Sequence, residues 1–156
     1  MLLPLPVKIT LSALTMILLG GLGGYLTASA IGSWYSTLNK PPGTPPNWLF
    51  GPVWTILYAM IGASFALIWH QGHLGKTRPS FFFVLQFLLN LAWTPVFFGA
   101  HQIGAALLLL ILLWLAIAAT IREFARLSKP AAYLLIPYLI WVSYATYLNA
   151  GHFYLN

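Results

Sequence analysis

Five long apolar runs occupy nearly the whole chain, and its few charges fall in the gaps between them. The runs read as helices over about 9–29, 47–70, 80–100, 104–124 and 131–150, each close to the ~20 residues a helix needs to cross hydrocarbon. With 60% hydrophobic and 5% charged residues, a soluble domain of 156 residues has too little polar surface to turn outward. In lipid, only a helix satisfies its own backbone polar groups over such a segment. The expected fold is therefore an all-α integral membrane bundle of five transmembrane helices, a single domain over 1–156.

Charge placement orients the bundle. Lys8, Lys76, Arg78, Arg122, Arg126 and Lys129 fall on the side of the N-terminus, and Lys40 alone falls on the other. That asymmetry predicts an N-terminus inside and a C-terminus outside, in a membrane such as the bacterial cytoplasmic membrane. On a soluble chain a net charge of +6 would suggest nucleic acid. Here anionic headgroups answer the charge, so the expected partner is the lipid bilayer and not nucleic acid. Cysteine is absent, which excludes disulfides and thiolate metal sites. Lys8, the run after it and Ala28-Ser29-Ala30 imitate a secretory signal, but the run is longer than a signal core and reads as the first span.

Helix one carries Gly20, Gly24, Ala28 and Gly32, a small residue at every fourth position. Such a stripe admits a second helix at close range, and packing within the bundle is favoured over a contact between copies. The connection over about 32–47 contains Lys40-Pro41-Pro42-Gly43-Thr44-Pro45-Pro46, which cannot be regular helix. It reads as a semi-rigid, polyproline-like lid with a glycine hinge, flanked by Trp34, Tyr35 and Trp48 at headgroup level. Pro52 falls in the first turns of helix two, where it is tolerated. Pro95 lies well inside helix three and Pro137 early in helix five; each frees a carbonyl four residues back, that of Leu91 or Tyr133, and is expected to kink its helix.

Polar residues within the spans are few. Gln86 and Asn90 stack on one face of helix three, with Trp93 and Phe97 continuing close to it. An amide in hydrocarbon must be paired, so this face turns inward. Two readings follow equally from that cost: an interhelical hydrogen bond, or a donor in a ligand cavity. On helix five Trp141, Ala145 and Asn149 align an indole, a gap and an amide; on helix two Phe50, Trp54 and Tyr58 do likewise with three rings. Indoles, phenyl and phenol rings and two amides describe a site for a flat aromatic molecule, with stacking walls and a few orienting hydrogen bonds.

Enzymatic constellations are nearly absent. Glu123 pairs best with Arg126, three residues on. His70, His73, His101 and His152 fall at helix ends or in loops, where headgroup-level solvation is expected, and no ligand set accompanies the His70–His73 pair, so no metal site is expected.

Several blocks together resemble the TspO/MBR family of tryptophan-rich membrane proteins: Lys40-Pro41 with Pro45-Pro46, Trp54, Asn90-Leu91-Ala92-Trp93-Thr94-Pro95-Val96-Phe97-Phe98-Gly99, and Pro137-Tyr138-Leu139-Ile140-Trp141 with Asn149. The resemblance implies a five-helix bundle, usually a homodimer, whose pocket opens toward loop one and binds porphyrins and other tetrapyrroles as ligands rather than cofactors. Sterols and isoquinolines are ligands of some members. It further implies Trp54 and Asn90 as polar ligand contacts and Trp141 as an indole wall, with Phe50, Tyr58, Trp93, Phe97, Ala145 and Asn149 completing the cavity. Trp34, Lys40, Pro41, Pro45, Pro46 and Trp48 would form the lid. The implied roles are sensing, sequestration or transport. The alternative is light- and oxygen-dependent porphyrin degradation, with Trp54 and Trp141 as the reacting indoles. Two departures stand out. The family lid carries a Trp where this chain has Gly43, and no basic residue follows Tyr147, so the sterol pattern proposed for helix five is incomplete.

Overall fold

The computed structural model describes residues 3–156. Its elements are α1 (Leu5–Gly32), α2 (Trp34–Thr37), α3 (Asn47–His70), α4 (Thr77–Thr94) running into a π-helical turn (Pro95–Gly99), α5 (Ile103–Ala125), α6 (Lys129–Tyr133) and α7 (Ile136–Leu155). Among the described residues, five segments are long and apolar enough to cross a membrane: Leu5–Gly32, Asn47–His70, Thr77–Gly99, Ile103–Ala125 and Lys129–Leu155. The all-α five-span bundle expected from the sequence is the architecture observed.

The interior is apolar, but so is much of the outer surface. Leu18, Leu26, Ile56 and Leu88 are exposed, whereas Gln86, Asn90, Asn149 and His152 are buried. Lipid solvates the leucines, and the amides must find partners inside. α1 packs along α3, and α5 lies between α4 on one side and α7 on the other. Ile61, Ile117, Tyr138 and Val142 are wholly buried at the centre.

Several local expectations change. α1 begins at Leu5, earlier than expected, because Pro4 caps it and Pro6 sits in its first turn, where a missing N–H costs nothing. Lys8 is consequently a helical residue with a buried side chain, its ammonium 4.9 Å from the centre of the Trp69 ring. The small-residue stripe of α1 is only partly used. Gly20 faces the Tyr58 ring, but a Cβ added at Gly24 or Gly32 would meet nothing within 4 Å. The closest backbone approach comes from the other helix, where a Cβ on Gly62 would lie 2.5 Å from the Cα of Ala13.

The prolines act differently from simple kinks. After Pro95 the helix widens into its π turn, with Ala100 N–H donating to Pro95 O at 2.8 Å. Pro137 does not bend a continuous helix. The chain breaks at Leu134 and Leu135, and Pro137 then occupies the first turn of α7, where its missing donor is harmless. The lid holds α2 and a tight turn rather than a continuous polyproline strand. Thr44 N–H donates to Pro41 O at 3.3 Å, and Gly43 adopts φ +81°, which a side chain would strain.

Candidate functional site

A cavity of about 530 Å³ lies inside the half of the bundle nearest the lid. α1 contributes Ile17, Gly20, Gly21, Gly24, Thr27 and Ile31; α3 contributes Trp48, Phe50, Trp54 and Tyr58 among others. Asn90, Trp93 and Thr94 come from α4 and Phe97 and Phe98 from its π turn; Leu110 and Leu113 of α5 form the floor; Trp141, Ala145, Leu148, Asn149 and His152 come from α7. No charged side chain lines it among the described residues. The size and apolar walls fit the usual range of small-molecule sites, about 300–1,000 Å³.

The rings are held by each other. Trp54 stacks on Tyr58 at 5.4 Å and meets Tyr138 edge-on at 6.3 Å; Phe50 meets Trp141 edge-on at 6.1 Å; Trp93 stacks on Phe97 at 5.2 Å. The helical spacing of four aligns Trp54 with Tyr58 and Trp93 with Phe97 on one face each, and the packing of α7 against α3 supplies the two edge-on contacts.

Both amides act as interhelical joints. Tyr58 donates to Asn90 Oδ1 at 2.7 Å, and Asn90 Nδ2 donates to the Tyr138 hydroxyl at 3.0 Å. Trp93 Nε1 donates to Asn149 Oδ1 at 3.1 Å, and Asn149 Nδ2 donates to Ile103 O at 2.9 Å. The two readings of these amides thus coincide: they join helices and they also line the cavity. Gln86 does neither. It is buried, and neither its Nε2 nor its Oε1 has a partner among the described residues. Of the indoles, Trp93 and Trp114 donate within the protein, to Asn149 and to Ser143; Trp54 and Trp141 make no hydrogen bond among the described residues and are available to a guest.

The wall is thinnest between α1 and α3. Gly21, Gly24, Gly51 and Thr55 line the cavity yet are exposed, and a Cβ on any of these three glycines would touch nothing within 4 Å. The cavity is open sideways there, toward the region lipid would fill.

Every cavity residue expected from the sequence lines this one space: Phe50, Trp54, Tyr58, Asn90, Trp93, Phe97, Trp141, Ala145 and Asn149. The lid residues do not act as a set. Trp48 lines the cavity and is 71% exposed. Trp34 instead stacks on His101 at 4.2 Å, and Lys40 lies over the Tyr35 ring at 4.9 Å. Burial pushes the Tyr35 phenol above its ordinary range. Pro41 is buried against Gly151, and Pro46 caps α3.

His152 departs furthest from the environment its sequence position suggests. It is buried on the cavity wall rather than solvated among headgroups, with its Nδ1 3.2 Å from Asn39 O. A carbonyl only accepts, so Nδ1 carries the proton and Nε2 of the neutral ring is left as an acceptor. The signal was present: His152 continues the Ala145–Asn149 face by one turn. Tyr35, expected to flank the lid at headgroup level, and Gly20 and Gly24, expected as a packing stripe, also line the cavity, because α1 leaves its thin face beside the space instead of closing on a second helix.

Tyr147 donates to Pro42 O at 2.9 Å, Tyr144 donates to Gly43 O, and Asn156 Nδ2 donates to Asn39 O at 3.1 Å. These bonds and His152 fasten the lid to α7.

A family model described as the TspO/MBR family matches residues 11–155. Among relatives, the tryptophan-rich protein TspO of Chlorobaculum tepidum is 43% identical over 141 residues, covering 88% of each chain. The tryptophan-rich protein TspO of Archaeoglobus fulgidus is 39% identical over 149 residues, 96% of this chain and 97% of that one. The translocator protein of Homo sapiens is 44% identical over 119 residues, 74% of this chain and 70% of the other.

Proposed function

This chain is an integral membrane protein of the TspO/MBR family, and on that premise we propose that it takes a flat aromatic tetrapyrrole, such as a porphyrin, into the cavity beneath the lid. Relatives named translocator protein and tryptophan-rich sensory protein support a membrane sensing or transport role. The observation that carries the finer reading is the cavity itself. Its volume of about 530 Å³ is walled by stacked and edge-on rings and holds two indole N–H donors, Trp54 and Trp141, with no protein partner among the described residues. A planar macrocycle gains from such walls by stacking, and its polar edge needs only a few donors. The positive-inside asymmetry supports an N-terminus in the cytoplasm and a lid outside, and the membrane we propose is a bacterial cytoplasmic one.

Quenching of tryptophan fluorescence by protoporphyrin IX in the dark tests the reading. Saturable quenching is expected for the native chain, with Trp141→Phe weakening it and Ala145→Phe, which fills the cavity, abolishing it. Linear quenching, or saturation indifferent to Ala145→Phe, overturns it.

A second reading, oxidative breakdown of the bound porphyrin in light, draws on the presence of both Trp54 and Trp141 on the cavity wall. It requires that loss of porphyrin absorbance under illumination need oxygen and stop when both indoles become Phe. Breakdown that continues without oxygen removes it.

A further inference from the structure

At the end of the bundle away from the lid, a second cleft of about 190 Å³ lies between the first turns of α4 and the last turns of α5. Arg78 and Phe82 line it from α4, four residues apart; Ala119, Arg122 and Glu123 line it from α5 and Arg126 from its C-cap, at helical spacing, so each set shares one face. Three guanidinium groups therefore face one carboxylate. Glu123 is the only acid in the chain, and its side chain is 12% exposed, accepting a hydrogen bond from Arg126 Nη1 at 3.1 Å. Arg78 and Arg122 donate no side-chain hydrogen bond within the protein among the described residues, so the cleft keeps two unspent guanidinium groups and a net positive charge.

Its floor is of the opposite character. Phe82 and Ala119 are half-buried, and their faces continue away from the charges as Leu85 and Leu89 on α4 and Leu115 and Leu112 on α5. The result is a cationic notch at the end of two spans, opening onto a strip of apolar side chains that runs along them toward the middle of the bundle.

We propose that this cleft is a binding site for the headgroup of an anionic phospholipid. Arg78 and Arg122 hold the phosphate, and an acyl chain lies along Phe82, Ala119 and the leucines. Guanidinium suits this role because its planar fork meets two phosphate oxygens at once, and it sheds water more readily than an ammonium. Glu123 orients Arg126 beside the notch and sets the preference, since its carboxylate admits a phosphate only against the surplus of arginines. Free phosphate would use the charges and leave the apolar floor bare; the strip below the notch is what selects a lipid.

The test uses the full chain in a non-ionic detergent, following its melting midpoint as phosphatidylglycerol, phosphatidylcholine or inorganic phosphate is added. A saturable rise is expected with phosphatidylglycerol alone. Each basic group near an anionic surface contributes enough that the Arg78→Gln, Arg122→Gln double variant should need at least about fivefold more phosphatidylglycerol for half the rise. The Lys76→Gln, Lys129→Gln pair, like Lys129→Gln alone, removes charge from the same end outside the cleft, the pair matching the two charges of the double variant, and separates a site from a general field. A field alone would give each such lysine the same weight as each arginine, about fivefold, whereas a site at the cleft leaves the Lys129→Gln half-point nearly unmoved. Equal rises with phosphatidylcholine, an equal rise with inorganic phosphate, or an equal loss in the lysine pair would each overturn the proposal. Should the double variant melt too early to read, Arg78→Lys serves: it keeps the charge, loses the fork, and must still weaken the response.

Discussion

Tyr58 and Asn90 form the joint on which three helices meet: the phenol of α3 donates to the amide of α4 at 2.7 Å, and that amide donates on to Tyr138 of α7 at 3.0 Å. A cavity-lining amide so engaged cannot be removed without structural cost. Asn90→Ala leaves two buried phenols short of a partner, each worth about 1–3 kcal/mol, and opens a void. Tyr58→Phe removes one bond, and hydrogen bonds between membrane helices average about 0.6 kcal/mol. Unfolding in mixed micelles should therefore rank Asn90→Ala well below Tyr58→Phe. Equal stabilities would mean that the joint is not what holds Asn90 in place.

Gly62 and Gly24 make a second pair of opposites. A Cβ on Gly62 would lie 2.5 Å from both the N and the Cα of Ala13, backbone atoms that yield only if α1 moves as a unit. Gly62→Ala is expected to cost about 2–4 kcal/mol or to prevent assembly. At Gly24 the same methyl meets nothing within 4 Å, and alanine is the better helix former by up to about 1 kcal/mol. Gly24→Ala should thus be neutral or stabilising. A Gly24 variant that collapses while the Gly62 variant folds would reverse the assignment of the α1–α3 contact.

The five spans were legible because lipid rewards one property, an apolar run of sufficient length, and that property is local. The cavity faces were legible for a related reason. Residues four apart on a helix share a face wherever the helix goes, so Trp54 with Tyr58, and Trp141 with Asn149, were aligned before any fold was known. What depended on distant partners was not legible. His152 is buried because Asn39, 113 positions away in sequence, presents a carbonyl to it. Lys8 is buried because Trp69 supplies a ring. Pro137 permits either a kink or a fresh start, and the packing around Leu134 and Leu135 decides for the fresh start. Gly20, Gly24 and Gly32 read as one stripe, yet α1 uses Gly20 against Tyr58 and leaves Gly24 bordering an open cavity.

Gln86 sits one turn from Asn90 and shares its face, but its amide has no partner among the described residues. An unpaired buried amide costs about 1–3 kcal/mol of desolvation, whereas leucine fills a similar volume without that penalty. Gln86→Leu should raise the melting midpoint, the opposite sign to any replacement of Asn90. A fall instead would show that Gln86 is satisfied by an internal water, since such waters typically bond to otherwise unpaired buried groups.

The lid is held shut by side chains of α7 rather than by its own prolines. Tyr147 donates to Pro42 O at 2.9 Å and Tyr144 to Gly43 O, so the phenols grip the carbonyls of the turn's two central residues. Each bond is worth about 0.5–1.5 kcal/mol. Replacing both tyrosines with Phe should therefore raise local opening roughly tenfold, read as faster hydrogen exchange at the amides of Lys40, Gly43 and Thr44. Exchange in the buried centre of α5 should not change, because those bonds touch no core residue. Gly151 offers an independent route to the same state. A Cβ there would lie 2.5 Å from the Pro41 ring, so Gly151→Ala should push the lid off α7 with every phenol intact. If both routes speed release of a cavity ligand alike, the lid gates the site. If exchange at the lid rises while release does not, the ligand leaves through the gap between α1 and α3, where Gly24 and Gly51 leave the wall open.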